Sequence, residues 1–205
     1  MRLIDDTHAL AVQVAVFSMW REQQQVATSF QLDPGDPLSY VYYTDNAARG
    51  RNSGIEASLT WQALPVLSLA TTLGLLDSKY VEYRVGDRNL DGRSQAHAPG
   101  YQYSLSAQLG REQGWMARAD LIGCDAFYFD TSHDQRSRPY TLLNLRAGFT
   151  GQRWSAYAWG RNVLDTSYAV RGFYFQLEPP DYANKLYVQR GDPRSAGVTI
   201  EWRLR

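Results

Sequence analysis

Regular alternation of apolar and polar residues limits the fold of this chain more than any other feature of its sequence. In the clearest run, from Tyr101 to Leu109, Tyr, Leu and Ala alternate with Gln and Ser. Similar runs lie at 10–16, 55–61, 67–75, about 115–129, 139–149, 153–163 and 198–204. A period of two residues is that of a β-strand whose two faces meet different environments. We therefore expect an all-β protein with about eight strands.

The polar faces of these runs indicate which kind of β protein this is. They consist mainly of Ser, Thr, Gln, Ala and Gly, with a few charged residues such as Glu56, Arg118 and Asp120. Most runs approach the roughly 9–11 residues that a tilted strand needs to cross a bilayer. Only two of the 21 basic residues are lysines, which commonly protect the sheet edges of soluble proteins. The sequence thus predicts an antiparallel up-and-down transmembrane β-barrel segment, with an apolar lipid face and a polar face toward an aqueous lumen.

The connections between the runs are alternately short and long. The short connections are 62–66, 110–114 and 150–153, and the long ones are 32–39, 85–98, 130–138 and 166–192. Outer-membrane barrels have short periplasmic turns and long extracellular loops. We therefore place the long connections on the outer side.

Tryptophan is concentrated near the strand ends that adjoin the short turns. Trp61, Trp115, Trp154 and Trp202 occupy these positions. Because tryptophan favours the interface between lipid and water, we predict that these four residues form an aromatic girdle. The predicted opposite girdle consists of Tyr80, Tyr83, Tyr101, Phe127, Tyr128, Phe129 and Tyr140. The alternative is that the tryptophans lie near strand ends by chance or pack in a soluble core.

Composition and motifs argue against several other classes of protein. The 21 acidic residues balance the 21 basic residues, so the chain lacks the positive charge typical of nucleic-acid binding. Cys124 is the only cysteine, which excludes an intramolecular disulfide and a cysteine-based zinc cluster. His8, His97 and His133 are too isolated for a common metal motif. We expect neither a catalytic site nor a cofactor.

One loop matches the first half of a calcium-binding loop. Asp87, Asn89 and Asp91 alternate before Gly92, as oxygen ligands do in an EF-hand. The twelfth position is Ala98 rather than the bidentate Glu, and β-strands rather than helices are expected on both sides. A hydrated outer loop is the favoured interpretation.

The N-terminal segment does not resemble a signal peptide. Within residues 1–20, Asp5, Asp6 and His8 interrupt the place where an apolar core would begin. No stretch approaches the roughly 18 apolar residues of a membrane-spanning helix. We expect that the chain as written carries no export signal and meets a bilayer only through strands.

Four short motifs occur in an order that resembles one protein family. Asn52, Gly54 and Glu56 are similar to an N-x-G-[IV]-E strand opening. Segments 91–92 and 98–101 are similar to a D-G loop followed by A-P-x-Y. Asn162, Asp165 and Tyr168 resemble the N-L-F-D-x-x-Y motif, and 191–194 resembles G-x-P-R. Together they resemble the C-terminal β-barrel portion of TonB-dependent outer-membrane receptors of the siderophore-receptor type.

This resemblance implies an organisation and a function. Residues 1–205 would form part of a receptor barrel, without the plug domain and the earlier barrel strands. The implied function is that of the barrel wall and outer loops of a transporter for an iron–siderophore complex or a similar ligand, located in the outer membrane. The implied partners are outer-membrane lipid, the remaining strands and plug of a parent receptor, and the TonB system. Transport by this polypeptide alone is not expected.

Three arginines in the long loops are candidate ligand residues. Arg136, Arg138 and Arg171 lie among aromatic residues, and arginine with aromatic faces suits planar anionic ligands. The alternative is that these loops are simply hydrated. Two other folds also remain open at this point, a small self-closing outer-membrane barrel with a porin-like or adhesive role and a soluble lipocalin-like binder.

Overall fold

The structure is a computed structural model that describes residues 2–4, 9–33, 35–36, 39–111, 113–131, 133–175, 178–180, 182–183 and 185–203. Its strands, in chain order, are β1 (Arg2–Ile4), β2 (Ala9–Gln31), β3 (Tyr40–Leu64), β4 (Leu67–Glu82), β5 (Arg84–Val85), β6 (Arg88–Asn89), β7 (Tyr101–Gly110), β8 (Gly114–Cys124), β9 (Tyr140–Thr150), β10 (Trp154–Arg161), β11 (Ala169–Phe175), β12 (Lys185–Arg190) and β13 (Ser195–Trp202). Within these ranges no helix is long and apolar enough to span a membrane.

Nine of the strands form one antiparallel sheet in the order β1-β2-β3-β4-β7-β8-β9-β10-β13. Because β1 has only three residues, eight long strands remain, and the predicted all-β barrel segment is confirmed. In the described part of the chain β1 and β13 stand at opposite ends of this order, so the sheet is open. A small closed barrel or a lipocalin would need pairing between its first and last strands.

The pairing register places apolar and polar residues on opposite faces of the sheet. One row of register partners across β2, β3, β4, β7, β8 and β9 contains Val12, Leu59, Thr71, Leu105, Leu121 and Leu143. The adjacent row contains Ala11, Thr60, Ala70, Ser106, Asp120 and Asn144. Successive side chains of a strand point to opposite faces, so these rows lie on different faces. We call them the apolar face and the polar face.

The apolar face is not covered by a second layer of the described residues. Val16, Val198 and Ile200 on this face are 76%, 71% and 73% exposed. A soluble sandwich would bury such residues between two sheets, as its main source of stability. Large exposed apolar surfaces of this kind mark sites of contact with a partner or a membrane, and the described residues do not cover this one.

Strands β2 and β3 are much longer than the alternation predicted. They contain 23 and 25 residues and stay paired from Leu10–Trp61 to Gln31–Tyr40. Their sequences lose the alternation beyond the Ser18–Ser53 pair, where the residue types on the two faces no longer differ. Pairing without alternation leaves no periodic signal in the sequence.

The predicted outer aromatic girdle is wrong for four of its members. Tyr80, Tyr83, Phe127 and Phe129 are only 3%, 2%, 8% and 4% exposed. Tyr80 and Tyr83 pack with Val26, Ala48 and Leu90, whereas Phe127 and Phe129 pack with Cys124. Long loops fold over the strand ends and bury these aromatic rings, which removes them from any lipid contact.

Several predicted boundaries also differ. The run predicted at 115–129 ends as a strand at Cys124, after which the chain enters a loop. The predicted loops 85–98 and 166–192 contain the short hairpins β5–β6 and β11–β12. The last strand is described to Trp202, and the predicted continuation to Leu204 lies outside the described residues, as does His8.

Candidate functional site

The long connections come together at the end of the sheet opposite the short turns. We use the name outer loop cluster for residues 83–97, residues 125–138 and the hairpin β11–β12. The first two segments are joined by a parallel bridge between Ala96 and Tyr128, and the His97 amide donates to the Tyr128 carbonyl at 2.9 Å. Tyr128 also bridges to Arg136 within its own loop. The cluster is therefore held together by backbone pairing as well as side chains.

Arg93 is the central side chain of the cluster. Its guanidinium donates to the carbonyl oxygens of Asp130 at 2.7 Å, His133 at 2.5 Å and Thr131 at 3.3 Å. It also lies 4.1 Å from the ring centroid of Tyr128, and its side chain is 9% exposed. Sequence analysis missed Arg93, because nothing in the spacing separates an arginine that binds carbonyls from one that faces solvent.

Arg88 reinforces the same contact between loops. It donates to the Thr131 carbonyl at 3.2 Å and forms an ion pair with Asp134 at 2.9 Å. Asp134 is also 3.3 Å from Arg93. Two arginines of residues 83–97 thus hold the backbone and one carboxylate of residues 125–138.

The three predicted ligand arginines occupy different environments. Arg136 lies 4.8 Å from the Tyr128 ring centroid and donates to the Ala126 carbonyl at 3.3 Å, so it belongs to the framework of the cluster. Arg138, two residues later, and Arg171, on β11, are both exposed. Arg136 is exposed as well, and it differs from the other two in lying over the Tyr128 ring.

The hairpin β11–β12 presents aromatic residues next to Arg171. Phe173 and Tyr187 are register partners whose rings stack with centroids 5.9 Å apart. Arg171 is two residues from Phe173 and so lies on the same face of the hairpin. Gly172 points the other way and rests against the ring of Phe129. One face of the hairpin is anchored, and the other offers stacked rings and a cation.

Burial changes the proton affinity of two groups in this cluster. Burial raises the pKa of Tyr83, so its phenol stays neutral at physiological pH. Burial lowers the pKa of His133, with smaller opposing effects from Asp130 and Asp134. These groups provide no anionic ligand for a metal ion.

The described residues contain no group of three or more His, Cys, Asp or Glu side chains that could hold a metal ion. In the calcium-like loop, Asn89 Oδ1 accepts from the Asp91 amide at 2.9 Å. Asp91 Oδ1 accepts from the Tyr83 amide at 2.8 Å. These carboxylate and amide oxygens cap turns, which is a sufficient reason for their presence in the loop.

The first motif, at Asn52, Gly54 and Glu56, connects β3 to its neighbours. Asn52 Oδ1 accepts from Ser78 Oγ at 2.8 Å and from Gln95 Nε2 at 3.2 Å, which ties β3 to β4 and to the outer loop cluster. Gly54 faces the ring of Phe17 on β2 and the carbonyl of Leu75 on β4. Glu56 is exposed on the polar face.

The third motif, at Asn162, Asp165 and Tyr168, closes the outer ends of β10 and β13. Asn162 has a φ of 46° and is 4% exposed, and its side-chain amide donates to the carbonyls of Thr166 at 3.0 Å and Asp192 at 3.1 Å. Asp165 pairs with Arg194 at 3.7 Å. The Tyr168 ring packs against Gly191 and lies 4.5 Å from that of Tyr140. These residues position the base of the hairpin β11–β12.

The polar face carries charged groups that are paired within the sheet. Arg118 forms an ion pair with Asp120 at 2.7 Å. Arg146 lies 3.8 Å from the Tyr157 ring centroid, and Arg161 lies 5.3 Å from that of Trp159. A polar concavity of about 430 Å³ lies among these groups. This face thus carries both signs of charge, and polar residues of this kind are typical of the inner face of an outer-membrane barrel.

The four predicted girdle tryptophans lie at the turn ends of their strands. Trp154 and Trp202 are register partners, and Phe149 lies 5.5 Å from Trp115 and 5.4 Å from Trp154 between ring centroids. Trp61 lies four residues before Pro65 in the β3–β4 turn. All four point to the apolar face, and Trp115 is 78% exposed.

The comparisons with known proteins agree with this architecture. A family model for the TonB dependent receptor-like β-barrel matches residues 4–163. The chain is similar in structure to the ferric yersiniabactin uptake receptor FyuA from Yersinia pestis, with 18% identity and a TM-score of 0.71 over 97% of this chain and 28% of that one. It is also similar to the ferric-catecholate import receptor Fiu from K12 E. coli, with 14% identity and a TM-score of 0.63 over 97% of this chain and 25% of that one.

The copper transporter OprC is also similar, at 10% identity and a TM-score of 0.67, over 98% of this chain and 30% of that one. The chain thus spans less than a third of the length of each of these receptors. The low identities establish a shared fold, and the family model covers most of the chain. This chain belongs to the TonB-dependent receptor β-barrel family.

Proposed function

We propose that this chain forms part of the barrel wall and several outer loops of an outer-membrane receptor for an iron–siderophore complex or a similar chelate. The observation that carries the proposal is the joint placement of an uncovered apolar face and an outer loop cluster with exposed Arg138, Arg171 and stacked aromatic rings. The chain acts as a binding and transport component rather than an enzyme. It depends on further barrel strands, a plug and the TonB system for transport.

The names of structural relatives support a metal chelate as ligand. They include receptors for ferric yersiniabactin, ferric catecholates and ferripyoverdine, together with a copper transporter. Such complexes are large and many are anionic, and the cation of Arg171 beside the Phe173–Tyr187 stack suits this chemistry. Arg136 packs against the Tyr128 ring and so helps to hold the loop of residues 125–138 in place.

Replacement of the exposed arginines tests the ligand site. In the full-length receptor, Arg138→Ala with Arg171→Ala should weaken binding of a ferric tris-catecholate or another anionic ferric chelate by about tenfold, or about 1.4 kcal/mol. The matched control is Arg111→Ala with Arg153→Ala, because both of these arginines are exposed in turns at the opposite end of the sheet. Equal uptake of radioactive iron by both double variants and the parent would show that Arg138 and Arg171 do not contribute to the ligand site.

The apolar face and the tryptophans imply a location in the outer membrane. Trp61, Trp115, Trp154 and Trp202 would contact lipid near the headgroups of the inner leaflet. Fluorescence quenching by brominated lipids checks this placement. Quenching should be stronger when bromine is close to the headgroup than when it is at the end of the acyl chain.

A further inference from the structure

The junction between residues 83–97 and 125–138 depends on the backbone geometry of a single turn. Arg93 reaches three carbonyls of that turn, those of Asp130, Thr131 and His133. A guanidinium that is only 9% exposed loses much stability if its acceptors turn away, because buried unpaired donors are costly. The junction therefore stays closed only while the turn keeps its shape. We call this junction the loop latch.

His133 holds the shape of that turn through its ring as well as through its carbonyl. Its imidazole Nδ1 accepts a hydrogen bond from the Gln135 amide at 3.3 Å. The Phe129 amide in turn donates to the Gln135 carbonyl at 3.2 Å, which closes the loop behind the turn. A nitrogen that accepts must carry a free lone pair, so the imidazole has to be neutral while this bond exists.

The charged groups around His133 act on it in opposite directions, because the two arginines disfavour a proton on the ring and the two carboxylates favour it. Arg88 and Arg93 approach from residues 83–97, and Asp130 and Asp134 belong to the loop of His133 itself. Asp134 is engaged by both arginines, at 2.9 Å and 3.3 Å. A proton on the imidazole would add a third positive charge close to the two guanidinium groups.

We propose that His133 makes the loop latch acid-labile, so that mild acidification releases residues 125–138 from residues 83–97. Protonation places a hydrogen on Nδ1, which removes the acceptor for the Gln135 amide. The turn then loses the geometry that directs its carbonyls toward Arg93. The proposal goes beyond ligand binding, because it concerns the closure of the outer end of the sheet.

The direction of the pH effect follows from burial. Burial lowers the pKa of His133 below its ordinary value of 6.5, so the closed latch binds the proton less readily than the open loop does. Well above pH 6.5 both states are neutral and the latch is fully stable. As the pH falls below that value, the open loop takes up the proton and the latch weakens.

Release of this loop also affects the hairpin β11–β12. Phe129 of the loop supports Gly172 of the hairpin, and Phe127 and Phe129 form the small core below it. When residues 125–138 move, the hairpin loses this support. The latch thus couples one histidine to the position of the exposed Arg171 and its aromatic neighbours.

Hydrogen exchange measured by mass spectrometry tests the proposal on the receptor that contains this chain, folded in lipid nanodiscs. After correction for the intrinsic pH dependence, protection of peptides from residues 125–138 should fall by about fivefold to tenfold between about pH 7.5 and about pH 5.5. His133→Asn keeps an acceptor near the position of Nδ1 but does not titrate, so its protection should stay constant. Peptides from β7 to β9 report on the folded sheet in the same sample.

His97→Asn is the matched control. His97 lies in the same cluster, with its ring 5.4 Å from Phe127, and asparagine tolerates its φ of 54°. This variant should retain the full pH response of the parent protein. The proposal is overturned if the parent shows no loss of protection in acid, or if His133→Asn loses as much protection as the parent. It is also overturned if His97→Asn abolishes the response.

Discussion

Asn162 shows how much a single side chain contributes at the outer ends of β10 and β13. Besides its two donated bonds, its Oδ1 accepts from the Thr166 amide at 2.9 Å, and its backbone amide donates to Asn144 Oδ1 at 2.9 Å. Its φ of 46° lies in the left-handed region, which asparagine tolerates better than most residues. The residue type is therefore fixed by backbone conformation and hydrogen bonding together.

Asn162→Ala should lower the free energy of unfolding by about 2–4 kcal/mol, because it removes three side-chain hydrogen bonds and strains the backbone. Asn162→Gly removes the same bonds without the strain, so it should cost about 1 kcal/mol less. Urea unfolding in detergent micelles, followed by tryptophan fluorescence, measures both values. A larger loss for the glycine variant would show that the left-handed conformation is not what selects asparagine.

At the scale of single residues, the sequence does not predict which arginines are buried and which are exposed. Arg93, Arg136, Arg138 and Arg171 all lie in or near polar, aromatic segments of the long connections. Arg93 is buried among carbonyls, whereas Arg136, Arg138 and Arg171 are exposed, with Arg136 lying over the Tyr128 ring. The difference arises from contacts between residues about 40 positions apart, such as Arg93 with His133. Local spacing carries no information about such contacts.

At the scale of strands, alternation predicts the position and length of a strand only where its two faces carry different residue types. Strands β7, β9 and β10 lie close to the predicted runs, because one face is apolar and the other polar throughout. Strand β4 continues beyond its predicted run to Glu82, and β8 ends before the predicted end of its run, at Cys124. The outer halves of β2 and β3 have no such contrast and were not predicted. The hairpin β11–β12 was also missed, because its aromatic and charged residues resemble those of a long loop.

Two glycines on the polar face test how closely β2, β3 and β4 pack. A Cβ on Gly54 would lie 2.6 Å from the Phe17 ring and closer still to the Leu75 carbonyl, whereas a Cβ on Gly74 would meet nothing nearer than 4.0 Å. Gly54→Ala should therefore destabilise the sheet by about 1–3 kcal/mol. Gly74→Ala should be neutral or slightly stabilising, because alanine loses less backbone entropy in a strand.

Thermal unfolding in detergent, followed by circular dichroism, separates these two variants. The Gly54→Ala transition should occur several degrees below that of the parent protein, whereas the Gly74→Ala transition should not fall below it. Equal transitions for all three proteins would mean that Phe17 and the Leu75 carbonyl move aside freely. The first family motif would then need another explanation for its glycine.

At the scale of the whole molecule, the sheet is an incomplete wall. Its two outermost strands each have one unpaired edge among the described residues, and its apolar face is uncovered. Unpaired backbone groups in hydrocarbon cost several kcal/mol each, so a stable membrane-inserted state needs partners for these edges. The fold class and the family were accessible from the sequence, because alternation and ordered motifs are local signals. The burial of four aromatic residues could not be predicted, because it depends on how distant loops fold over the strand ends. These residues are Tyr80, Tyr83, Phe127 and Phe129.

The orientation of the two faces is tested by adjacent residues of β4. Leu73 lies on the apolar face and is 40% exposed, whereas Thr72 lies on the polar face, where its hydroxyl is 2.8 Å from that of Ser104. Arginine on the lipid side of a barrel costs about 2–4 kcal/mol near the bilayer midplane, but a lumen position tolerates it. Leu73→Arg should therefore reduce folding into lipid vesicles strongly, and Thr72→Arg only slightly. Heat-modifiable gel mobility of the receptor that contains this segment measures the folded fraction, and the opposite ranking of the two variants would mean that the apolar face does not meet lipid.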